Sequence, residues 1–309
     1  MQKVKQISLK NKTSLRELTK EFSELGVFGA GRIGKASDIM YQMAKDKECK
    51  IFLGIAGPMV PGGMKNIIID TLKTLKVSVF VTTGATLTHD LIEALGYSHF
   101  QGSKDVDDSK LLKKGIDRIY ESFMPNAAYE KLEDFFIKFS KKYNNKELNI
   151  KEFLWLVGSE IKDENSILYT CYKNKIPIFC PAISDSGIGL MIWGRLCAGM
   201  KLKVDTFDDL KEIIDISWTA KKKGIIYVGG GVPKNYIQQS LQFSGKGADY
   251  GIQITTDHPE PGGSSGAELR EGISWGKMNS QGKFVDVICD ATIALPIILG
   301  SVKEKLNQN

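Results

Sequence analysis

Residues 262–278 read GGSSGAELREGISWGKM, setting a glycine-rich stretch, a carboxylate (Glu271), an indole (Trp275) and a primary amine (Lys277) within one short span. These are the parts of Schiff-base chemistry. An uncharged lysine attacks an electrophilic carbon, and lysine sheds its proton near neutral pH when buried or set near other cations. An indole face attracts an ammonium group by about 0.5–2 kcal/mol, and a carboxylate pairs with a second amine. The plainer alternative leaves Lys277 in solvent at a strand edge with Trp275 in the core. For an arbitrary lysine beside a tryptophan, that alternative is the stronger.

A second motif lies in FGAGRIGKA, where Gly29-Ala30-Gly31-Arg32-Ile33-Gly34 spells GxGxxG. As a dinucleotide fingerprint it needs a buried strand before it and an acid about 20 residues on. The preceding RELTKEFSELGV is charged and helical in period, and the strand at Ile51 to Ile55 ends in Gly and Ala. Position therefore rules the fingerprint out. A glycine-loosened turn opening a helix over SDIMYQMAKD is expected instead.

The elements that must position such groups alternate regularly. Apolar, β-branched runs at 50–57, 77–85, 176–184, 224–231, 248–256 and 284–291 read as strands. Helix-period segments separate them, among them GGMKNIIIDTLKTLK, THDLIEALG, NAAYEKLEDFFIKFSKKY, DDLKEIIDISWTAKKK and PKNYIQQSLQF. This spacing predicts an α/β fold with a mostly parallel sheet, helices on both faces and a helical insertion around 100–170. One domain over 28–309, after a short helical extension over 1–27, is the economical organisation. KKYNNKELN (141–149) is the one segment expected to be loose.

Five of these six runs end in small-residue turns: Gly54-Ile-Ala-Gly-Pro-Met, Thr82-Thr83-Gly84-Ala85-Thr86, Pro181 to Gly187, Gly229-Gly230-Gly231 and Asp290-Ala291-Thr292. In an open parallel sheet these turns share one edge, where ligands bind. A single such turn merely ends a strand sharply. Five together argue for a backbone-lined floor that admits a flat, extended ligand.

Bulk properties exclude several classes. The 309 residues are 42% hydrophobic and 25% charged, ordinary for a globular chain. The net charge of +6 is spread over lysine-rich stretches such as KFSKKYNNK and TAKKKG, which suits solvated faces better than a nucleic-acid groove. Cys49, Cys171, Cys180, Cys197 and Cys289 are odd in number and without a CxxC pair, so reduced core thiols are expected, and no metal site. MQKVKQISLK has no apolar signal core and no apolar run reaches spanning length, so a cytoplasmic protein is expected.

The stretch GADYGIQITTDHPEPGGSSGAELREGISWGKM resembles the signature region of deoxyhypusine synthase, including its Glu-x-x-x-Trp-Gly-Lys turn. The likeness continues collinearly over roughly residues 28–300, through IFLGIAG, VFVTTGATLTHDLIEAL, IPIFCPAISDSGIGLMIW, GIIYVGGGVPK and VDVICDATIALPIIL. By this resemblance the N-terminal extension of typical eukaryotic members is expected to be missing or much shortened. The resemblance implies a Rossmann-like sheet binding NAD and oxidation of spermidine beside its secondary amine. Its aminobutyl imine then passes to an enzyme lysine and to an acceptor amine, and the hydride is returned. It makes Lys277 the covalent residue, with Glu271 and Trp275 beside it. NAD is expected against Gly57, Pro58, Met59, Val60, Pro61, Thr83, Gly84, Ala85, Asp185, Gly230, Thr256, Asp257, Asp290 and Ala291. The polyamine is expected against His89, Asn235, Gly262, Gly263, Ser264, Glu271 and Trp275. A homotetramer with active sites across a dimer interface is also implied.

The amine pocket departs from the family pattern. His89, Leu190 and Ser264 stand where the family places acids, and Asn235 stands where it places a histidine. An unpaired buried ammonium costs several kcal/mol, about the scale on which the accepted amine would change. His89 is read evenly as an acid-base group or as a hydrogen-bonded structural residue. Three functions follow from the resemblance. The first is aminobutyl transfer to the lysine of the hypusine-containing translation initiation factor. The second resembles homospermidine synthase, with putrescine or another small amine as acceptor. The third is an NAD- or polyamine-binding oligomer without turnover, against which the intact Lys277, Glu271 and Trp275 argue.

Overall fold

The computed structural model describes residues 3–308. In chain order the first elements are α1 (Leu15–Leu25), α2 (Phe28–Lys45), β1 (Cys49–Ile55), α3 (Lys65–Thr74), β2 (Val79–Thr82) and α4 (Gly84–Ala94). There follow β3 (Phe100–Gln101), α5 (Asp108–Lys113), β4 (Ile116–Ile119), β5 (Ser122–Pro125), α6 (Ala127–Lys142), β6 (Lys146–Asn149), α7 (Ile150–Ser159) and α8 (Ile167–Lys173). The remainder is β7 (Ile178–Phe179), α9 (Gly187–Cys197), β8 (Leu202–Asp205), α10 (Phe207–Thr219), β9 (Lys222–Val228), α11 (Gly231–Phe243), β10 (Ala248–Thr255), β11 (Met278–Ile288) and α12 (Ala291–Asn307). The chain packs as two compact units. One gathers the chain up to Ala56, Asp70–Val81 and the chain from Leu210, and the other Gly57–Ile69 and Thr82–Asp209.

The first unit holds the sheet, ordered β11-β10-β9-β1-β2 within the unit, with β1, β9, β10 and β11 mutually parallel. Its strands are continuous apolar runs because both faces are covered. The coverage can be read from two glycines. A Cβ on Gly54 would meet Ile237 of α11, and one on Gly224 would meet Met43 of α2. Gly54 pairs with Tyr227, three residues from Gly224 along β9, so the two glycines point to opposite faces. Helices α11 and α2 therefore sandwich the sheet. Between the pairs Ala248↔Met278 and Tyr250↔Lys283 the register slips, so residues 279–282 bulge out of β11.

The GxGxxG motif is helical throughout, not a turn ahead of a helix. A Cβ at Gly31 would stand 2.5 Å from the Gly26 carbonyl carbon, and one at Gly34 would stand 2.3 Å from Ser23 N. The glycines thus let α2 press against α1. Buried hydroxyls complete this junction: Ser301 on α12 bonds Thr19 at 2.6 Å and Ser37 at 2.9 Å.

In the second unit the segment expected as a helical insertion also carries strands, an antiparallel sheet β3-β5-β4. KKYNNKELN is not loose, since its end forms β6, paired with β8. Asp90, fully buried, accepts hydrogen bonds from Ser166 Oγ and the Ile167 and Leu168 amides at 2.8–2.9 Å, fastening the start of α8 to α4. Among the cysteines only Cys171 and Cys180 are fully buried, and Cys197 is exposed at the end of α9, outside the core expected for it.

Candidate active site

The Trp-Gly-Lys turn is built by backbone geometry. A short 3-10 segment, Leu269–Ile273, closes with Gly276 N bonded to Ile273 O at 3.0 Å and Lys277 N to Gly272 O at 2.8 Å. With φ at +68° for Gly276, this is a Schellman closure, and it explains why glycine separates the indole from the amine. Upstream, the Asp286 carboxylate holds Leu269 N at 3.1 Å. The result folds Lys277 Nζ back over the Trp275 ring, 4.8 Å from its centroid. Trp275 is 56% exposed, so the ring is a surface platform and not a core residue.

This turn walls a cavity of about 500 Å³ within the first unit. Lys277, Trp275, Glu271, Asn235, Gly262, Gly263 and Ser264 all line it, whereas His89, expected against the same amine, does not. Further liners not expected from the sequence include Lys234, Gln238, Gln239 and Gln242. The signal existed: Asn235, Gln238, Gln239 and Gln242 form a polar stripe at i, i+3, i+4 and i+7 along α11, and all four line the cavity. Gly272 lies beneath, where a Cβ would come within 3.4 Å of Lys277 Cβ and 3.8 Å of Gln238 Nε2. Lys234 is 2% exposed, and its ammonium donates to the carbonyls of Ser264 and Ala267. Burial pushes its pKa down to about 8, opposed by Asp286 and Glu271 and reinforced by the like charge of Lys277.

Other expected residues lie at the far end of the same strands. Gly229 N bonds Ile254 O and Cys289 N bonds Thr255 O, so Gly230, Thr256-Asp257 and Asp290-Ala291 sit side by side at the carboxyl edge. Asp290 caps α12 through Thr292 N at 2.7 Å, whereas no side-chain oxygen caps α11, whose N-cap is Gly230. Lys277, by contrast, sits at the amino edge, its carbonyl accepting from Ala248 N at 3.0 Å. Ala248 and Thr255 bound β10, which at about 3.3 Å per residue separates the two edges by roughly 23 Å.

In the second unit, Gly57 at φ +85° opens a turn whose Met59, Val60 and Pro61 are buried. Pro58 beside it is exposed. Thr83 caps α4, Ala85 is exposed, and a Cβ on Gly84 would lie 2.4 Å from Ser186 Cβ, which places this turn against the neighbour of Asp185. Leu190, at a position the resemblance gives to an acid, is 59% exposed. His89 belongs to a chain of groups. Glu93 binds Lys65 at 2.7 Å and His99 Nδ1 at 2.8 Å, and His99 Nε2 meets His89 Nδ1 at 3.0 Å. The carboxylate only accepts, so His99 carries a hydrogen on Nδ1, and its Nε2 shares the second hydrogen bond with His89 Nδ1. Burial, reinforced by His99 and opposed by Glu93, lowers the His89 pKa to about 4, keeping the ring neutral at pH 7.

The deoxyhypusine synthase profile matches residues 17–302. The chain belongs to the deoxyhypusine synthase family. A probable deoxyhypusine synthase of Methanosarcina thermophila is 41% identical over 305 residues, covering 99% of this chain and 96% of the relative. Probable deoxyhypusine synthase 2 of Archaeoglobus fulgidus is 41% identical over 282 residues, covering 88% and 92%. An Entamoeba histolytica crystal structure, provisionally assigned to deoxyhypusine synthase, superposes with a TM-score of 0.62 at 19% identity, covering 92% of this chain and 91% of that one. At that identity the likeness shows the fold alone. Family membership makes the protein a transferase, of a family that moves aminobutyl groups. Among the described residues no helix is long and apolar enough to cross a membrane.

Proposed function

We propose that this chain transfers the aminobutyl group of spermidine, with NAD as bound cofactor, through an imine on Lys277 to the lysine of the hypusine-containing translation initiation factor. The observation that carries the reading is Lys277 Nζ held over the Trp275 ring at the wall of a cavity that also presents Glu271. A polyamine needs such features: an aromatic face and a carboxylate for its ammonium ends, and one nucleophilic amine.

The strand-end turns fit a dinucleotide. A Cβ on Gly57 or Gly231 would enter open space, leaving backbone that a phosphate can approach, and α11 starts without a side-chain cap. Gly57 to Pro61, Thr83 to Ala85, Asp185, Gly230, Thr256-Asp257 and Asp290-Ala291 are the residues proposed to hold it. When bound, NAD supplies hydride acceptance and return, so the overall transfer has no net redox change. Lys277 then does the carbon–nitrogen work. Its Nζ, unprotonated, adds to the C=N carbon of the oxidised amine and displaces the diamine, whose nitrogen leaves with the proton. The acceptor amine displaces Lys277 in the same way, restoring the free side chain.

The roughly 23 Å between the Lys277 turn and the carboxyl edge of its own sheet exceeds the reach of one lysine side chain. This supports an active site shared between copies of the chain, Lys277 from one and cofactor turns from another, in a homotetramer. Incubation with NAD and labelled spermidine, followed by borohydride, tests the reading. Label fixed on Lys277 is expected, and no label from any of several polyamines would leave only a binding role. Adding the factor or putrescine afterwards identifies the acceptor. Asn235 at the cavity wall is the feature that favours the small-diamine alternative.

A further inference from the structure

The wall of the Lys277 cavity formed by residues 256–268 leaves the carboxyl end of β10 and returns to the 3-10 segment without regular structure of its own. Most of its residues from Thr256 to Ser264 are exposed, so little apolar burial holds it in shape. What does hold it is polar. Lys234 Nζ donates to Ser264 O and to Ala267 O, the latter at 2.7 Å. Gln253 Nε2 shares Ala267 O at 3.1 Å. Gly230 lies so close that a Cβ there would stand 2.2 Å from Ser265 Cβ. Lys234 contributes two of these ties from a single buried group.

We propose that Lys234 is a positioning residue for the amine substrate: its buried ammonium clamps the 264–267 wall in the shape that, with Glu271 and Trp275, receives the polyamine. This rests on the reading of Lys277 given above. A buried lysine needs a reason, because desolvating its charge is costly, and here it bonds carbonyls of a cavity wall instead of a carboxylate. A purely structural lysine exists for comparison in the same unit. Lys223 is equally buried and bonds Ser244 Oγ and Lys246 O, but it does not line the cavity.

The test compares Lys234→Met with Lys223→Met by amide hydrogen exchange and by steady-state kinetics with spermidine. In K234M the amides of 262–268 should exchange about tenfold faster while β9 and β10 keep their protection. KM for spermidine should rise about tenfold with kcat changed less than about threefold. K223M should leave both wall exchange and KM unchanged, and Lys234→Arg, which keeps donors, should recover part of the KM loss. Unchanged wall exchange in K234M, or uniform loss of protection with kcat and KM falling together, overturns the proposal. So does failure of both K234M and K234R to fold, since the role is then global. If wild-type protein forms no adduct with any polyamine, the functional reading fails, while wall exchange still decides whether the clamp exists.

Discussion

At its amino end β10 is bonded through Ala248 to Lys277, and at its carboxyl end through Thr255 to Cys289, one residue before Asp290. The amino-end region is made of side chains: an ammonium over an indole, a carboxylate, a glutamine stripe and a clamped lysine. The carboxyl-end region is made of backbone, glycines and helix starts. The first suits a flexible polycation recognised by charge and aromatic faces, the second a cofactor recognised by its phosphates. β10 runs from one region to the other, and that separation is what the proposed sharing of the site between copies of the chain rests on.

The largest effect expected is at the amino end. Lys277→Arg should reduce the borohydride-trapped adduct at least ~1,000-fold, because guanidinium stays protonated, while calorimetric NAD affinity changes little. Equal loss of both would erase the distinction between the two regions. Mixing two inactive chains, Lys277→Ala and Asp257→Ala, tests sharing directly. In a two-fold dimer, random reassociation restores roughly a quarter of the sites. No recovery after reassociation would place the whole site in one chain. Gly276→Ala is expected to cost about 1–2 kcal/mol by forcing a Cβ into the left-handed region, read as a lower Tm together with weaker adduct formation.

Two smaller effects concern pH. Lys234 titrates near 8 in the folded chain against an ordinary 10.5, so between those values the unfolded chain binds more protons. Its contribution to stability therefore grows from pH 8 to 10.5 and is lost as pH falls through 8. Denaturant titrations should show wild type gaining on Lys234→Met across that window. His89 has the same sign at lower pH, with about 4 against 6.5. Its contribution is present above pH 6.5 and lost as pH falls through 4, so His89→Gln should lose less stability than wild type on that descent.

The sheet strands and the Trp-Gly-Lys turn were legible because apolar runs and a dense local motif write themselves into short windows. The distance between Lys277 and the strand-end turns was not legible. Sequence order sets both beside β11, and only the register with β10 shows that they occupy opposite edges. Lys234 was hidden for a related reason: its partners are backbone carbonyls some 30 positions on, which leave no residue signature. His89 was visible as a departure, yet the groups it is bonded through, His99 and Glu93, lie outside any motif. The GxGxxG stretch was excluded as a fingerprint by its position, but its helical role was not legible, since its glycines serve a crossing with α1 that only the packing shows.

The bulge at 279–282 has a consequence for how this region tolerates change. Because a Cβ on Gly282 would stand about 3 Å from the Ala248 and Asp249 carbonyl oxygens while Ser280 and Gln281 face solvent, extra residues inserted at that tip would be taken up as slack. The span from lysine to carboxyl edge is then fixed by the neighbouring strand like a ruler, whatever the count of residues threaded between them.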